Sequence, residues 1–138
     1  MSCQSPDLTL RAVKRPEILD MSLQERARAG GQTKYTELFV GIHKGEEVGL
    51  LSIDFIPNEE QLGLYEIYVL HEHRRTGVGT FLLEQAEQLG KHRGYGSVVL
   101  NPKPLDERQT KSKLIQWYKQ RGYLKISASD GRMRKVLR

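Results

Sequence analysis

The sequence predicts a single α/β domain built on a mixed, largely antiparallel sheet, and three observations carry that expectation. Three β-rich runs, Thr36 to His43, Val48 to Pro57 and Gly63 to Leu70, follow one another with short polar connectors, the pattern of an antiparallel meander. A glycine-containing turn then opens into an amphipathic stretch that leads to Ser97-Val98-Val99-Leu100. A strand, a crossover helix and a second strand form a right-handed unit whose strands lie parallel. Last, Tyr123 to Ala128 and Met133 to Leu137 flank Ser129-Asp130-Gly131 and read as a terminal hairpin.

Composition bounds the function. A chain of 138 residues, 38% hydrophobic and 28% charged, is large enough for one core without metal or disulfide support, so one domain over 1–138 is expected. The lone Cys3 can staple nothing internally and suits a reducing cytoplasm. With no signal-like start and no apolar run approaching about 18 residues, neither secretion nor a membrane span is expected. The net charge of +5 favours anionic ligands over cationic ones, although solubility alone accounts for it equally well.

Taken in order, Leu8 to Val13 alternates as a first strand. Pro16 is placed in the first turn of a short helix that ends at Gly30-Gly31, with Ile18, Leu19, Met21 and Leu23 as its apolar residues. Lys44-Gly45-Glu46-Glu47 and Asn58 to Gln61 supply the turns of the meander. A helix is expected from Val78 to Lys91, with Val78, Leu82, Ala86, Leu89 and Phe81 inward and Glu87 and Lys91 as an i,i+4 ion pair. Pro102 and Pro104 hold the chain extended, and Asp106 is the expected N-cap of a helix through Arg121 that Gly122 closes.

The chemistry gathers between Glu66 and Leu83. A strand there feeds a basic, glycine-bearing turn at a helix N-terminus, where unpaired N–H groups and the macrodipole attract anions. Gly77 and Gly79 allow φ > 0 and close approach to a phosphate, and Arg74 and Arg75 supply counter-charge. A dinucleotide fingerprint requires a small residue where Leu82 stands, and no Gly-Lys-Ser or Gly-Lys-Thr ends a phosphate loop. His71 and His73 have ligand-like spacing but no further ligands nearby, so no metal is expected. The turn lacks base-stacking aromatics, which disfavours nucleic acid.

What the residues match is Arg/Gln-x-x-Gly-x-Gly/Ala, here Arg74-x-x-Gly77-x-Gly79, with Gly77 eight residues after Val69. A second motif, Trp117-Tyr118-Lys119-Gln120-Arg121-Gly122-Tyr123, fits aromatic-Tyr-x-x-x-Gly-aromatic one strand and one helix later. Together they resemble the GCN5-related N-acetyltransferases, the GNAT superfamily, most firmly from Gly63 to Tyr123. The resemblance implies fourth and fifth strands that splay around acetyl-CoA, helices on both faces of the sheet, and transfer of an acetyl group to a primary amine of a small molecule, peptide or protein. Two helices usually wall the acceptor site before the second strand. This chain has room for one helix and a turn, which implies an open acceptor cleft or closure by a partner subunit. A homodimer through the terminal strands stays open.

The residue roles that the resemblance implies are specific. Backbone groups of Ile67, Tyr68 and Val69 would hold pantetheine, with the Val69 N–H facing the developing oxyanion. Amides from Arg75 through Thr76, Gly77, Val78 and Gly79 to Thr80 would hold the pyrophosphate, with Arg74 beside them. Tyr118 would protonate the departing thiolate. Glu66 would bind the amine or order a proton-relaying water, against an ordinary solvated glutamate as the alternative, and Asp54 is a weaker candidate. The chain departs from the family at Lys111, where many members carry Asn seven residues before the motif tyrosine, and at His71, where Pro is common. Lys111 could reach a cofactor phosphate instead. The readings that compete are an idle acyl-CoA-binding module on the same fold and a basic nucleic-acid-binding domain.

Overall fold

The strand that organises the sheet is paired along only half of one edge. In the computed structural model, which describes residues 7–74, 76–105, 109–127 and 131–137, β4 (Gln61–Val69) runs parallel to β5 (Ser97–Leu100) from the Gln61–Ser97 pair to the Leu64–Leu100 pair. Beyond that point β4 continues alone on this side. Its other edge stays bonded to β3 (Glu46–Asp54), which pairs with β2 (Thr36–His43), which pairs with β1 (Leu8–Val13), all antiparallel. On the far side β7 (Met133–Val136) lies between β5 and the short β6 (Leu124–Lys125). The sheet order is thus β1-β2-β3-β4-β5-β7-β6, the mixed sheet expected from the sequence.

Helices cover both faces. α1 (Met21–Gly30) buries Leu23 and Ala27 with Ile18 against Leu38, Val40 and Leu50. On the opposite face α2 (Val78–His92) and α3 (Lys111–Gln120) pack onto the larger cluster, which includes Leu51, Leu62, Leu82, Val98 and Tyr123. Lys44 and Gly45, at φ 51 and 82, close the β2-β3 hairpin, since positive φ at both central positions matches the strand twist.

Several local expectations are corrected. Pro16 opens a one-turn 3-10 segment, Arg15–Glu17, and not the helix. The helix starts later because the Asp20 carboxylate caps it, accepting from the Leu23 N–H at 2.9 Å. Leu19 and Met21, expected inside, are 78% and 79% exposed; the later start of α1 turns Leu23 and Ala27 to the sheet in their place. α3 begins at Lys111 with Thr110 as its N-cap; the expected cap, Asp106, lies outside the described residues. Glu87 turns to the Tyr123 hydroxyl at 2.9 Å and the Lys135 ammonium at 3.1 Å, partners offered by the tertiary fold in place of the expected pairing with Lys91.

A bulge sets which side chains reach which face. Ser52 pairs with Glu66 and Ile53 with Leu64, which leaves Tyr65 as the extra residue in β4. The phase shifts there, so Leu62, Leu64, Ile67 and Val69 all serve the cluster under α2 and α3. Glu66 and Tyr68 face α1 instead.

Candidate active site

Where β5 diverges, β4 exposes the backbone of its last residues. The Leu70 N–H bonds the Val48 carbonyl at 3.0 Å, and β4 pairs regularly with β3 from Glu66 onward. Antiparallel alternation then points the N–H groups of Tyr68 and Leu70 at β3 and those of Ile67 and Val69 into the gap. A groove of about 560 Å³ occupies that gap on the α2 and α3 side.

One wall of the groove is the turn that starts α2. Gly77 is its N-cap at φ 89 and ψ 0 and has no side chain to cap the first turn, so the first-turn amides are left to water or a ligand. Gly79, expected to share this backbone geometry, has no positive φ. A Cβ there would lie 3.6 Å from the Trp117 ring and 3.7 Å from Val69, ordinary contacts that agree with Gly or Ala at this motif position. Thr80, Ile67, Val69 and Arg74 also line the groove. Arg74 bonds the Val69 carbonyl through Nε at 2.9 Å, which ties the turn back to the end of the strand. Its guanidinium lies 5.4 Å from the Tyr68 ring centroid.

The opposite wall is α3, and beside the motif residue Trp117 it carries two cations to which the motif reading gave no role, Lys113 and Arg121. Lys113, Trp117 and Arg121 recur every fourth residue and all line the groove, the spacing of one helical stripe. Arg121 lies 4.1 Å over the Trp117 ring and donates to the Trp117 carbonyl at 3.0 Å and the Thr80 hydroxyl at 3.2 Å. Its Nε is buried with no hydrogen-bond partner. The stripe was readable in the sequence; that it faces the glycine turn was not, because α2 and α3 meet only in the folded chain.

Tyr118 lies where the groove meets a smaller cavity of about 230 Å³ bounded by Leu64 to Ile67 of β4, Leu100 of β5 and Arg26 of α1, and it lines both, as does Ile67. Its ring is edge-on to Trp117 at 5.0 Å and to Tyr123 at 5.6 Å. Burial pushes its phenol well above the ordinary tyrosine range, so the proton stays on oxygen through neutral pH.

Glu66 faces the smaller cavity with Arg26 of α1. Arg26 Nε and Glu66 Oε2 are 2.8 Å apart, with side chains 25% and 5% exposed. The pair is off-line for a hydrogen bond, and each of the two atoms is otherwise unpartnered. Burial raises the Glu66 carboxyl above the usual carboxylate range, and the Arg26 charge opposes that rise. Any side chain at Gly30 would come within 3.1 Å of Glu66 Oε1, so α1 holds the carboxylate in place.

At the other expected positions the described side chains do not line the groove. Tyr68 packs on the α1 side and Val78 is buried in the core. The Thr76 hydroxyl donates to the His73 carbonyl. Lys111 is exposed at the start of α3, off the groove wall that Lys113 lines. Arg75 lies outside the described residues. Asp54 accepts from the Thr36 hydroxyl at 2.5 Å and lines neither cavity. Among the described residues no three His, Cys, Asp or Glu side chains converge as a metal site, and no helix is long and apolar enough to cross a membrane.

The split sheet, the glycine-capped helix and the tyrosine between two cavities agree with a sequence match to the acetyltransferase (GNAT) family over residues 9–123. The chain belongs to that family. No curated protein sequence matches it at a significant level, but solved structures share its fold. A GNAT acetyltransferase from Elizabethkingia anophelis with acetyl-CoA bound superposes with a TM-score of 0.74 at 13% identity, covering 96% of this chain and 100% of that one. The ribosomal-protein-S18-alanine N-acetyltransferase of Escherichia coli gives 0.68 at 16% identity, covering 94% of each chain. A spermidine N-acetyltransferase chimera from Vibrio cholerae and hSSAT gives 0.67 at 16% identity, covering 95% of this chain and 96% of that one.

Proposed function

We propose that this GNAT protein is an acetyl-CoA-dependent N-acetyltransferase in which a primary amine attacks the thioester directly while both substrates are bound. The observation that carries the reading is the place of Tyr118, on the wall shared by the groove and the smaller cavity. A single phenol there is within reach of both substrates.

The groove fits coenzyme A chemically. Amides behind Gly77 and the cations Arg74, Lys113 and Arg121 on the groove walls suit a diphosphate. The inward-facing backbone of Ile67 and Val69 suits the amide-rich pantetheine arm. Amides of Arg75, Thr76, Val78, Gly79 and Thr80 complete the proposed phosphate grip, and Lys111 is the outermost candidate for a phosphate contact. Bound there, acetyl-CoA supplies an activated acyl group.

This chain's own residues do the rest. A free alkyl amine has a pKa of about 10, so the acceptor must lose a proton before its lone pair can attack. Glu66, held above the usual carboxylate range by burial, takes that proton directly or through one water. The Val69 N–H, directed into the gap, stabilises the negative charge that gathers on the carbonyl oxygen. Tyr118 donates its proton to the sulfur as the C–S bond breaks, and the second amine proton restores the phenol through solvent. One N–C bond forms, one C–S bond breaks, and the products are the N-acetylated amine and the free thiol. The acceptor is a small molecule or a polypeptide amine, and a cytoplasmic location suits the cofactor.

Thiol release with acetyl-CoA over a panel of amines tests the reading. Tyr118→Phe should lower turnover on the order of 100-fold with little change in acetyl-CoA affinity. Cofactor binding without thiol release from any amine would leave a binding module and remove the enzyme.

A further inference from the structure

The smaller cavity carries a charge pattern that selects among amines, and this step rests on the acetyl-transfer reading. Its described walls hold two cations, Arg26 and Lys103, and one carboxylate, Glu66, with the amides of Asn101 and Gln109 between them. Glu66 is the one carboxylate on those described walls, so among the described residues no second carboxylate awaits a second ammonium. A linear polyamine needs several. A wall that presents a fixed carboxylate beside a fixed guanidinium is instead complementary to a molecule with the opposite arrangement, an ammonium beside a carboxylate.

We propose that the acceptor is a small amine bearing its own carboxylate, an amino acid or close analogue, oriented by Arg26 and Lys103 through the carboxylate and by Glu66 through the nitrogen. Arginine is suited to the first task because its planar donor fork matches both oxygens of a carboxylate. The pair is pre-set for this. α1 abuts Glu66 at Gly30, where a Cβ would come within 3.1 Å of Oε1 and 3.3 Å of the Tyr65 ring. A cavity of about 230 Å³ admits a single amino acid more readily than a folded surface. Acyl transfer follows the balance given above: the amine nitrogen gains the acetyl carbon and loses a proton, and the thiolate is protonated.

The test compares matched acceptors at saturating acetyl-CoA, following thiol release. Leucine, methionine and phenylalanine are each assayed beside their α-carboxamide and their decarboxylated amine, with spermidine as the polycation. The carboxylate-bearing member of each set should show kcat/KM at least about 10-fold above its neutral counterparts, the worth of one charge-assisted hydrogen bond. Lys103→Gln, at an exposed position, should raise KM for the carboxylate members more than for the amides; Arg26→Lys, which keeps charge but loses the fork, should widen that difference further, with any change in kcat through Glu66 shared by all members. Equal turnover of the three members, a preference for spermidine, or a preference untouched by both variants overturns the proposal and leaves the enzyme reading standing. Heat on binding acetyl-CoA with no thiol release from any acceptor overturns both.

Discussion

The two halves of the proposed site are built differently. The phosphate wall of the groove is local: strand end, turn and helix start lie within Ile67 to Thr80, and backbone amides and a left-handed Gly77 shape it, with α3 closing the other side. The acceptor half is assembled from distant segments, with Arg26 on α1, Glu66 beside the Tyr65 bulge, and Lys103 after β5. Backbone recognition of this kind suits an invariant ligand, because it depends on chain geometry more than on side-chain identity. Side chains gathered from three segments can change one at a time, which suits a variable one.

The largest expected effect lies where the halves meet. Tyr118→Phe should depress turnover by the factor given above while calorimetry records nearly unchanged acetyl-CoA binding; an equal loss in both would move Tyr118 from proton transfer to simple wall. Gly77→Val comes next and attacks the groove half alone. A β-branched residue at φ 89 costs about 1–3 kcal/mol, read as a lower denaturation midpoint, and acetyl-CoA affinity should fall on the order of 10-fold or more by the same energy scale. Gly79→Ala is its control and should be nearly silent, since its Cβ meets only ordinary contacts.

Smaller effects sharpen the contrast. Arg121→Met loses the bonds to Thr80 and the Trp117 carbonyl and should weaken acetyl-CoA binding about 10-fold without altering preference among acceptors. Glu47→Gln should do the reverse. The Glu47 carboxylate accepts from the Leu19 and Asp20 N–H groups at 3.0 and 2.7 Å and pairs with Arg11 at 3.1 Å, so it pins the start of α1. Its loss should cost about 1 kcal/mol of stability and raise the acceptor KM, with acetyl-CoA affinity kept.

The pH profile separates the halves without mutation. Because burial raises the Glu66 carboxyl, its basic form is lost as pH falls through that raised value. The acid limb of kcat/KM should therefore lie above the ordinary carboxylate range. Arg26→Gln removes the opposing charge and should move the limb higher still. Tyr118, pushed upward by burial, keeps its proton past the ordinary tyrosine range and contributes no alkaline fall before it.

The same contrast explains what the sequence disclosed. The meander, the parallel unit and the glycine turn are short-range patterns of alternation, periodicity and punctuation, and the fold followed from them. So did the position of Glu66 opposite Ile67 and Val69, although the bulge at Tyr65 could only be allowed for. The start of α1 was misjudged because Pro16 and Asp20 both mark helix starts, and a carboxylate 27 residues onward in sequence, Glu47, selects the second. Arg26 carried no local signal at all; only the packing of α1 across the sheet brings it to Glu66. Lys113 and Arg121 stood in plain helical register with Trp117, but nothing in that register says which way the stripe faces.

The central claim is that the gap beyond the Leu64–Leu100 pair receives coenzyme A against the Gly77 turn. Titration calorimetry of acetyl-CoA into the wild type and Gly77→Val, each checked for folding by its unfolding transition, tests it most directly. The account predicts one-to-one binding to the wild type that collapses in the folded variant. Undetectable heat with the wild type, or equal affinity in both proteins, would contradict it.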